Sequence, residues 1–329
     1  GDWSSDVCSS DLYNPNPFDV TLTLTAHTST GTVVLTKVVG ANRRGGWNIG
    51  ATSALPVGVF GVTLTSRATS SANDAAFIGV VAGLAHYDVA RGGAYGVLGQ
   101  AGQGSTVGAI PTLTNGAGVS SEVALYNPGD LPTTVVITGQ YVNASLPTLS
   151  RSIDIPARST LVFSAEALGL IADQAIGLVY RSTYAIVVLA AEYQKGEANA
   201  APAFTDVGTR YFFGDAFINK TSAGVNYFET LSFYNPASRS NTITVRLLFT
   251  TGEVSTFTVP INAQGFAQVN LHERPEILDR TTNLNYFSID LSAPTQFGVQ
   301  FTHYDLFLGG GYSQSGAPLG LLTPLSRIS

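Results

Sequence analysis

The chain has 329 residues, of which 44% are hydrophobic and only 12% charged, with a formal net charge of −6 at pH 7. An average globular chain is about 25% charged, so Thr, Ser, Asn and Gly must cover much of this surface. The acidic balance argues against nucleic acid as a partner, because such binding needs a basic stripe. No apolar run reaches the roughly 20 residues of a transmembrane helix, so we expect no membrane span in this sequence.

The first twelve residues look foreign to the rest of the chain. Residues 2–12 read Asp-Trp-Ser-Ser-Asp-Val-Cys-Ser-Ser-Asp-Leu. This peptide is, letter for letter, the translation of a common short-read sequencing adapter, so we interpret residues 1–12 as an artefact to be left out of fold reasoning. Cys8 lies inside this stretch, so the remaining sequence predicts no disulfide framework and no thiolate chemistry. We expect the natural start, and any signal peptide or anchor, to lie upstream.

The tripeptide Tyr-Asn-Pro occurs three times, beginning at Tyr13, Tyr126 and Tyr234, with spacings of 113 and 108 residues. Three further landmarks follow each copy in the same order: Val39-Gly40-Ala41-Asn42, Ile155-Pro156-Ala157-Arg158 and Ile261-Asn262-Ala263-Gln264; Phe60-Gly61-Val62, Ile176-Gly177-Leu178 and Phe287-Ser288-Ile289; His86-Tyr87-Asp88, Glu192-Tyr193-Gln194 and His303-Tyr304-Asp305. A period of this length is too long for a solenoid and is typical of an independently folding domain.

Between the landmarks the sequence has the pattern of β-strands. Val20–Thr25 and Thr256–Ile261 alternate apolar and polar residues, as expected of strands with one buried face. Ala185–Ala191 is apolar throughout, which predicts a central strand. Helix is predicted only at Ser164–Leu168 and His272–Leu278, where the chain would cross between sheets. About seven short strands per unit predict an all-β protein with Ig-like sandwiches.

The repeat sets the predicted domain boundaries. We predict three tandem Ig-like β-sandwich domains, the first truncated at its N-terminus. The predicted segments are 1–12 (adapter artefact), 13–103 (first repeat), 104–208 (second repeat), 209–318 (third repeat) and 319–329 (tail). The stretches 99–105 and 200–208 are rich in small residues and are predicted to be linkers.

With these units defined, a resemblance can be stated. Tyr211-Phe212-Phe213-Gly214, followed by Leu231-Ser232-Phe233-Tyr234-Asn235-Pro236, resembles a family of bacterial tandem β-sandwich repeats with a Trp/Tyr-Phe-x-x-Gly opening and a Leu-x-Asn-Pro strand end. Copy two has Gly108-Ala109-Ile110 in place of the aromatic opening. The resemblance implies a secreted or surface-attached bacterial protein. No catalytic residues are known for that family, so none is carried over.

The strongest candidates for a site are two His-x-Asp pairs, His86 with Asp88 and His303 with Asp305. Residues two apart on a strand share a face and could supply two metal ligands, but copy two has Glu192 and Gln194 there. Zinc needs three or four such ligands, so we interpret both pairs as polar strand ends beside a tyrosine buried in the core. Tyr87, Tyr193 and Tyr304 are therefore predicted to be largely buried at equivalent places.

Nothing in the sequence assigns a catalytic, cofactor-binding or metal-ligating residue, and we expect no cofactor. A glycosidase needs two acids in one cleft, whereas Glu166, Asp173, Glu273 and Glu276 lie near the predicted sheet crossovers. No Gly-x-Ser-x-Gly elbow is present, and no glycine-rich run opens a helix as a phosphate cradle would. The sequence therefore favours a protein that is not an enzyme.

Three functions remain open. The first is a non-enzymatic extracellular structural repeat protein: a cell-surface stalk, a surface-layer component or an adhesin fragment. The second is a carbohydrate-binding or other ligand-binding accessory module of a larger secreted enzyme, although Trp47 is the only tryptophan outside the adapter stretch. The third is an extracellular filament subunit assembled by strand exchange. The expected partners are other proteins or further copies of this chain, with a glycan as an alternative.

Overall fold

A computed structural model gives the fold of residues 7–70, 78–88, 90–102, 104–116, 118–194, 196–221, 224–225, 227–305 and 310–317, and the description below refers to these. The chain is all-β, as predicted, and its antiparallel sheets pack as sandwiches. In the described part, no helix is both long and apolar enough to cross a membrane. The same pattern of strand pairing occurs three times, and we call the three sets of strands units 1, 2 and 3. That each unit folds independently, with ends at 103 and 208, stays a prediction.

Unit 1 has two separate sheets. Its strands are β1 (Val7–Tyr13), β2 (Val20–Thr28), β3 (Gly31–Val39), β4 (Arg44–Gly45), β5 (Gly61–Ala68), β6 (Val81–Asp88) and β7 (Gly93–Leu98). One sheet has the order β4-β1-β6-β7 and the other has the order β3-β2-β5.

Units 2 and 3 contain counterparts of these strands, with those of β5 and β6 joined into one, and a further opening strand; unit 3 also has one short strand after its opening strand. The elements of unit 2 are β8 (Ser105–Asn115), β9 (Val119–Asn127), β10 (Thr133–Tyr141), β11 (Leu149–Ile155), β12 (Ser159–Ser164), α1 (Ala165–Leu168), β13 (Gln174–Gln194) and β14 (Glu197–Pro202). Those of unit 3 are β15 (Gly208–Thr221), β16 (Gly224–Val225), β17 (Tyr227–Tyr234), β18 (Asn241–Phe249), β19 (Val254–Ile261), β20 (Phe266–Asn270), a 3₁₀ turn (Leu271–Glu273), α2 (Pro275–Leu278), β21 (Leu284–Asp305) and β22 (Gly310–Ser315). The short helices lie where they were predicted.

The strands β13 and β21 each run through both layers of their sandwich, so the prediction of uniformly short strands is wrong for them. The first half of β13 pairs with β10 and β8, and its second half pairs with β9 and β14. β21 does the same with β18 and β15, and then with β17 and β22. In unit 1 this path is divided between β5 and β6. Alternation alone does not show where a strand changes its partners.

Each Tyr-Asn-Pro asparagine closes its strand with a buried side chain. Asn14, Asn127 and Asn235 are all fully buried. The Asn235 amide donates to the carbonyls of Arg239 (2.8 Å) and Asn262 (2.9 Å), and its Oδ1 accepts from the Ala237 N–H (3.1 Å). Asn14 and Asn127 make the corresponding bonds to the turn and to the second landmark. The side chain therefore fastens two segments distant in sequence, which goes beyond the predicted local turn.

The last residue of the second landmark is left-handed in all three units. Asn42, Arg158 and Gln264 have φ values of 53°, 51° and 51°. Each donates its N–H to a carbonyl in the turn after Tyr-Asn-Pro, at 3.1, 3.0 and 2.8 Å respectively. A positive φ is uncommon outside glycine, so its recurrence supports the predicted landmark order.

In the described part of the chain, unit 1 has no counterpart of the strand that opens units 2 and 3. Among described residues, β5 pairs only with β2, whereas its counterparts in β13 and β21 also pair with β8 and β15. The stretch that we interpret as adapter supplies most of β1, which pairs with β6 from Val7↔Tyr87 to Tyr13↔Val81. A strand can form here whatever its side chains are, because backbone pairing does not depend on them.

The three hydrophobic cores differ greatly in size. The core of unit 1 is formed by Leu12, Val20, Leu22 and Val39 with partly buried neighbours. Among described residues, the corresponding clusters of units 2 and 3 hold nineteen and twenty-one buried side chains. Unit 3 is the richest in aromatic rings, and Tyr211, Phe213, Phe233, Phe297 and Phe301 are almost fully buried there.

One of the two predicted linkers is partly wrong. Residues 99–104 do connect β7 to β8. Ala200–Pro202, however, belong to β14, and Ala200 and Ala201 are only 2% and 4% exposed. β14 packs against β7 of unit 1 and β22 of unit 3. The small residues are there because three strands pack closely, and not because the segment is a flexible link.

Candidate functional site

Several residues of the repeated landmarks lie at the contacts between consecutive units. Tyr126 of unit 2 lies over Gly61 of unit 1, where a Cβ would be 2.1 Å from its ring. Phe266 of unit 3 lies over Gly177 of unit 2, where a Cβ would also be 2.1 Å away. Gly61 and Gly177 occupy the same place in the third landmark. Each glycine is thus a seat for an aromatic ring of the next unit, and unit 3 has Ser288 there.

Arg91 joins unit 1 to unit 2. Its guanidinium bonds to Asp88 in its own unit and to Glu122 of unit 2 at 2.7 Å. It also lies over the Tyr193 ring, 3.6 Å from the centroid. Burial raises the pKa of Asp88, but hydrogen bonds from the Arg91 N–H and guanidinium outweigh this, so the pKa lies below its ordinary value.

Tyr304 joins unit 3 to unit 2. Its hydroxyl accepts a hydrogen bond from the Asn199 amide and donates to Glu192 Oε2 at 3.5 Å. Asn199 in turn accepts from Ser313 Oγ at 2.6 Å. Burial, and then the nearby Glu192 carboxylate, hold the pKa of Tyr304 well above its ordinary value. This contact is polar where the Arg91 contact is ionic.

The predicted burial of the three landmark tyrosines is right for two of them and wrong for Tyr87. Each landmark tyrosine lies six residues after the residue that pairs with the Tyr-Asn-Pro tyrosine of its unit, so the three positions are equivalent. Tyr193 and Tyr304 are 6% and 8% exposed, whereas Tyr87 is 46% exposed. Tyr193 and Tyr304 are buried because the preceding unit covers their rings, and neither belongs to the main core cluster of its own unit. No described unit precedes unit 1.

A polar cleft of about 190 Å³ lies between units 2 and 3. Its lining residues are Thr112, Thr114, Val119, Glu192, Gln194, Phe228, Thr230, Ser232, Gln268, Asn270, His272, Gln300, Thr302 and Tyr304. The lining is dominated by hydroxyl and amide groups, with Glu192 as the one carboxylate among these residues and none of them Lys or Arg. His272 is mostly buried, and burial lowers its pKa, so its ring is neutral at pH 7. This cleft was not predicted. Glu192 and Gln194, which stand at the fourth landmark where the other two copies have His and Asp, both line it.

Two carboxylates cap the opening strands of units 2 and 3. Glu192 Oε1 accepts from the Thr114 N–H at 2.8 Å and from Ser121 Oγ at 3.0 Å. In unit 3 the acid lies on β17 and not on β21, the counterpart of β13. Glu229 Oε1 accepts from the Phe217 N–H at 2.5 Å and contacts His303 Nδ1 at 3.1 Å. Burial raises the pKa of both carboxyls. Each acid accepts from a backbone N–H of its opening strand, at Thr114 opposite Ala175 and at Phe217 opposite Tyr286.

The residues of the two His-x-Asp pairs contact different partners. Asp88 bonds to Arg91, His86 contacts the Tyr95 ring in a tilted arrangement with centroids 4.9 Å apart, and His303 contacts Glu229. In the described part of the chain, no three His, Cys, Asp or Glu side chains are grouped as a metal site would require.

The four acids near the crossovers lie in different units. Glu166 follows the cap of α1, where Ser164 Oγ accepts from the Ala167 N–H at 3.1 Å, and Asp173 lies at the start of β13. In unit 3, Glu273 accepts from Asn270 at 3.0 Å and Glu276 pairs with Arg274 at 2.8 Å. None of the four lines the cleft.

The sequence matches no protein-family model and no curated protein significantly. Among solved structures, the chain is similar to the crystal structure of Thermotoga maritima 1070, with 18% sequence identity and a TM-score of 0.28. That match covers 34% of this chain and 96% of the other.

Proposed function

We propose that this chain is a non-enzymatic structural repeat protein of the bacterial cell surface or exterior, whose units hold fixed orientations. The observation that carries this proposal is the repeated seat, in which an aromatic ring of one unit packs on the equivalent glycine of the unit before it. Tyr126 packs on Gly61, and Phe266 packs on the equivalent Gly177. The two rings come from paired strands, because Phe266 lies opposite Tyr234, the counterpart of Tyr126, and stacks on it.

The roles of the polar residues support the same proposal. Asn14, Asn127 and Asn235 fasten strand ends, Glu192 and Glu229 cap strand N–H groups, and Arg91 joins two units. Side chains that could carry chemistry are thus engaged in folding and in joining units. The location outside the cell rests on the resemblance to secreted tandem repeats and on the absence of cysteine after Cys8, as suits thiol-poor exported proteins.

Small-angle X-ray scattering of the intact chain, together with limited proteolysis, tests the proposal. A chain with fixed joints gives one scattering profile that fits a single arrangement, and proteases spare residues 99–102 and 203–207 until the units unfold. Cleavage at both joints before any unfolding would contradict a rigid array. Turnover of a polysaccharide or ester substrate by the purified chain would contradict the non-enzymatic assignment.

A further inference from the structure

The cleft between units 2 and 3 has a lining chemistry that its structural role leaves unexplained. We propose that it binds one ring of a neutral carbohydrate, as a free monosaccharide or as the end residue of a glycan. This goes beyond the proposed structural function, since a rigid joint requires only that its two faces pack.

At the joint of units 1 and 2 there is a more open depression, lined by Arg91 and Tyr193, whereas the cleft between units 2 and 3 has no Lys or Arg among its described lining residues. Tyr193, at the joint of units 1 and 2, is covered by the Arg91 guanidinium, which also pairs with Glu122. At the next joint the equivalent tyrosine, Tyr304, lines the cleft, and its hydroxyl bonds to Asn199 and Glu192 with the Glu197 side chain nearby.

Thr112, which lines the cleft, has a buried hydroxyl without a partner. Thr112 is 8% exposed, yet its Oγ1 has no hydrogen-bond partner among the described protein atoms. A buried polar group without a partner costs about 1–3 kcal/mol, and such groups call for an explanation. Because Oγ1 is itself shielded from solvent, a ligand hydroxyl in the cleft becomes its partner when the Thr112 side chain turns about χ1.

The side chains that line the cleft favour one class of ligand. Thr, Ser, Gln and Asn side chains both donate and accept hydrogen bonds, as do sugar hydroxyls, and Phe228 and Tyr304 offer apolar ring surface. No cationic side chain among the described lining residues would hold an anion, and one carboxylate is too few for a metal ion. At about 190 Å³ the cleft is smaller than the roughly 300–1,000 Å³ of drug-sized sites, so it fits one sugar ring.

Ligand-detected NMR titrations of the full chain test this with glucose, galactose, N-acetylglucosamine and glucuronate as probes. We expect one of the neutral sugars to bind with a millimolar dissociation constant, and glucuronate to bind more weakly because no Lys or Arg among the described lining residues compensates its carboxylate. The Thr112→Val variant keeps the side-chain shape and should weaken binding about fivefold, the value of one net hydrogen bond.

Thr160→Val is the matched control, because Thr160 Oγ1 is likewise buried without a partner but does not line the cleft. It should bind as the wild type does. Thr230→Tyr, which fills the cleft from its outer wall, should abolish binding while the thermal melt shows that the chain is folded. The proposal fails if no neutral sugar binds, if glucuronate binds best, or if the Thr112 and Thr160 variants behave alike.

Discussion

At the scale of single residues, the buried asparagine of Tyr-Asn-Pro does more than end a strand. Its amide replaces two backbone partners that a turn cannot supply, and its Oδ1 accepts the N–H two residues further on. Because the second partner lies about one strand pair away in sequence, the same side chain fixes the position of the second landmark. This explains why the two landmarks keep their order in each unit.

Replacing Asn235 by Ala should lower the free energy of unfolding by about 3 kcal/mol, because buried backbone groups lose their partners. Urea unfolding followed by circular dichroism measures the change. Asn262→Ala is the control, since that side chain is exposed and only its backbone carbonyl takes part. Equal losses in the two variants would show that the fastening is not specific to Asn235.

The pKa of Glu229 is raised mainly by burial, with Asp215 adding to the rise and His303 opposing it. A carboxyl whose pKa is higher in the folded state than in the unfolded state favours folding when it is protonated. Its contribution is therefore present below the ordinary pKa near 4.5 and is lost as the pH rises through the folded-state pKa.

Glu229→Gln keeps an acceptor for the Phe217 N–H and removes this ionisation. We expect the variant to be more stable than the wild type at pH 8, and the two to converge at pH 4. The difference should grow as the pH rises through the folded-state pKa of Glu229. Urea midpoints measured from pH 4 to 8 give the profile, and parallel profiles for the two proteins would refute the expectation.

At the scale of elements, paired strands compensate for each other's side chains. Copy two lacks the aromatic opening, and Gly108 stands where unit 3 has Tyr211. The register shows why: Gly108 lies opposite Tyr180, and Tyr211 lies opposite Leu291. A Cβ on Gly108 would be 2.6 Å from the Tyr180 ring. The large ring is thus supplied by either strand, so the apparent loss of the motif in copy two is an exchange of sides.

The strand β13 should tolerate no side chain at its seat for Phe266. Gly177→Ala should cost about 1–3 kcal/mol, the usual penalty for overpacking, and should loosen the joint between units 2 and 3. Gly214→Ala is the control, because a Cβ there meets no atom within 4 Å. Adding Phe266→Ala to Gly177→Ala should recover part of the loss, and a double-mutant cycle measures the coupling. Strict additivity would mean that the ring and the glycine do not interact.

At the scale of the whole molecule, unit 1 differs from the others in two ways. Within the described residues it has no counterpart of the opening strand, so β5 has a free edge there, and no described unit covers the outer face of its β1–β6 sheet. Tyr13 and Tyr87 are 40% and 46% exposed on that face, whereas Tyr126 and Tyr193 are 7% and 6% exposed on the corresponding face of unit 2. A free edge and an uncovered face both favour association between chains.

Hydrogen exchange should therefore show unit 1 as the least protected. Amides of β2 at Leu22 and Leu24 should exchange faster than those of β10 at Val135 and Ile137, although both strands are central in their sheets. The smaller core of unit 1 is the physical reason, because less apolar area is removed from water. Equal protection would contradict either the adapter interpretation or the alignment of the repeats.

The sequence by itself determined the all-β class, the threefold order of landmarks, the helical crossovers and the missing strand of unit 1. These follow from local alternation, turn chemistry and internal repetition, all of which can be read along the chain. Only the tertiary structure decided that Tyr193 and Tyr304 are buried and Tyr87 is not, that Ala200–Pro202 form a packed strand, and that a polar cleft separates units 2 and 3. Those outcomes depend on which surface of one unit faces the next. Residues such as Arg91 and Glu192 meet their partners only across that junction, so no local pattern identifies the partners.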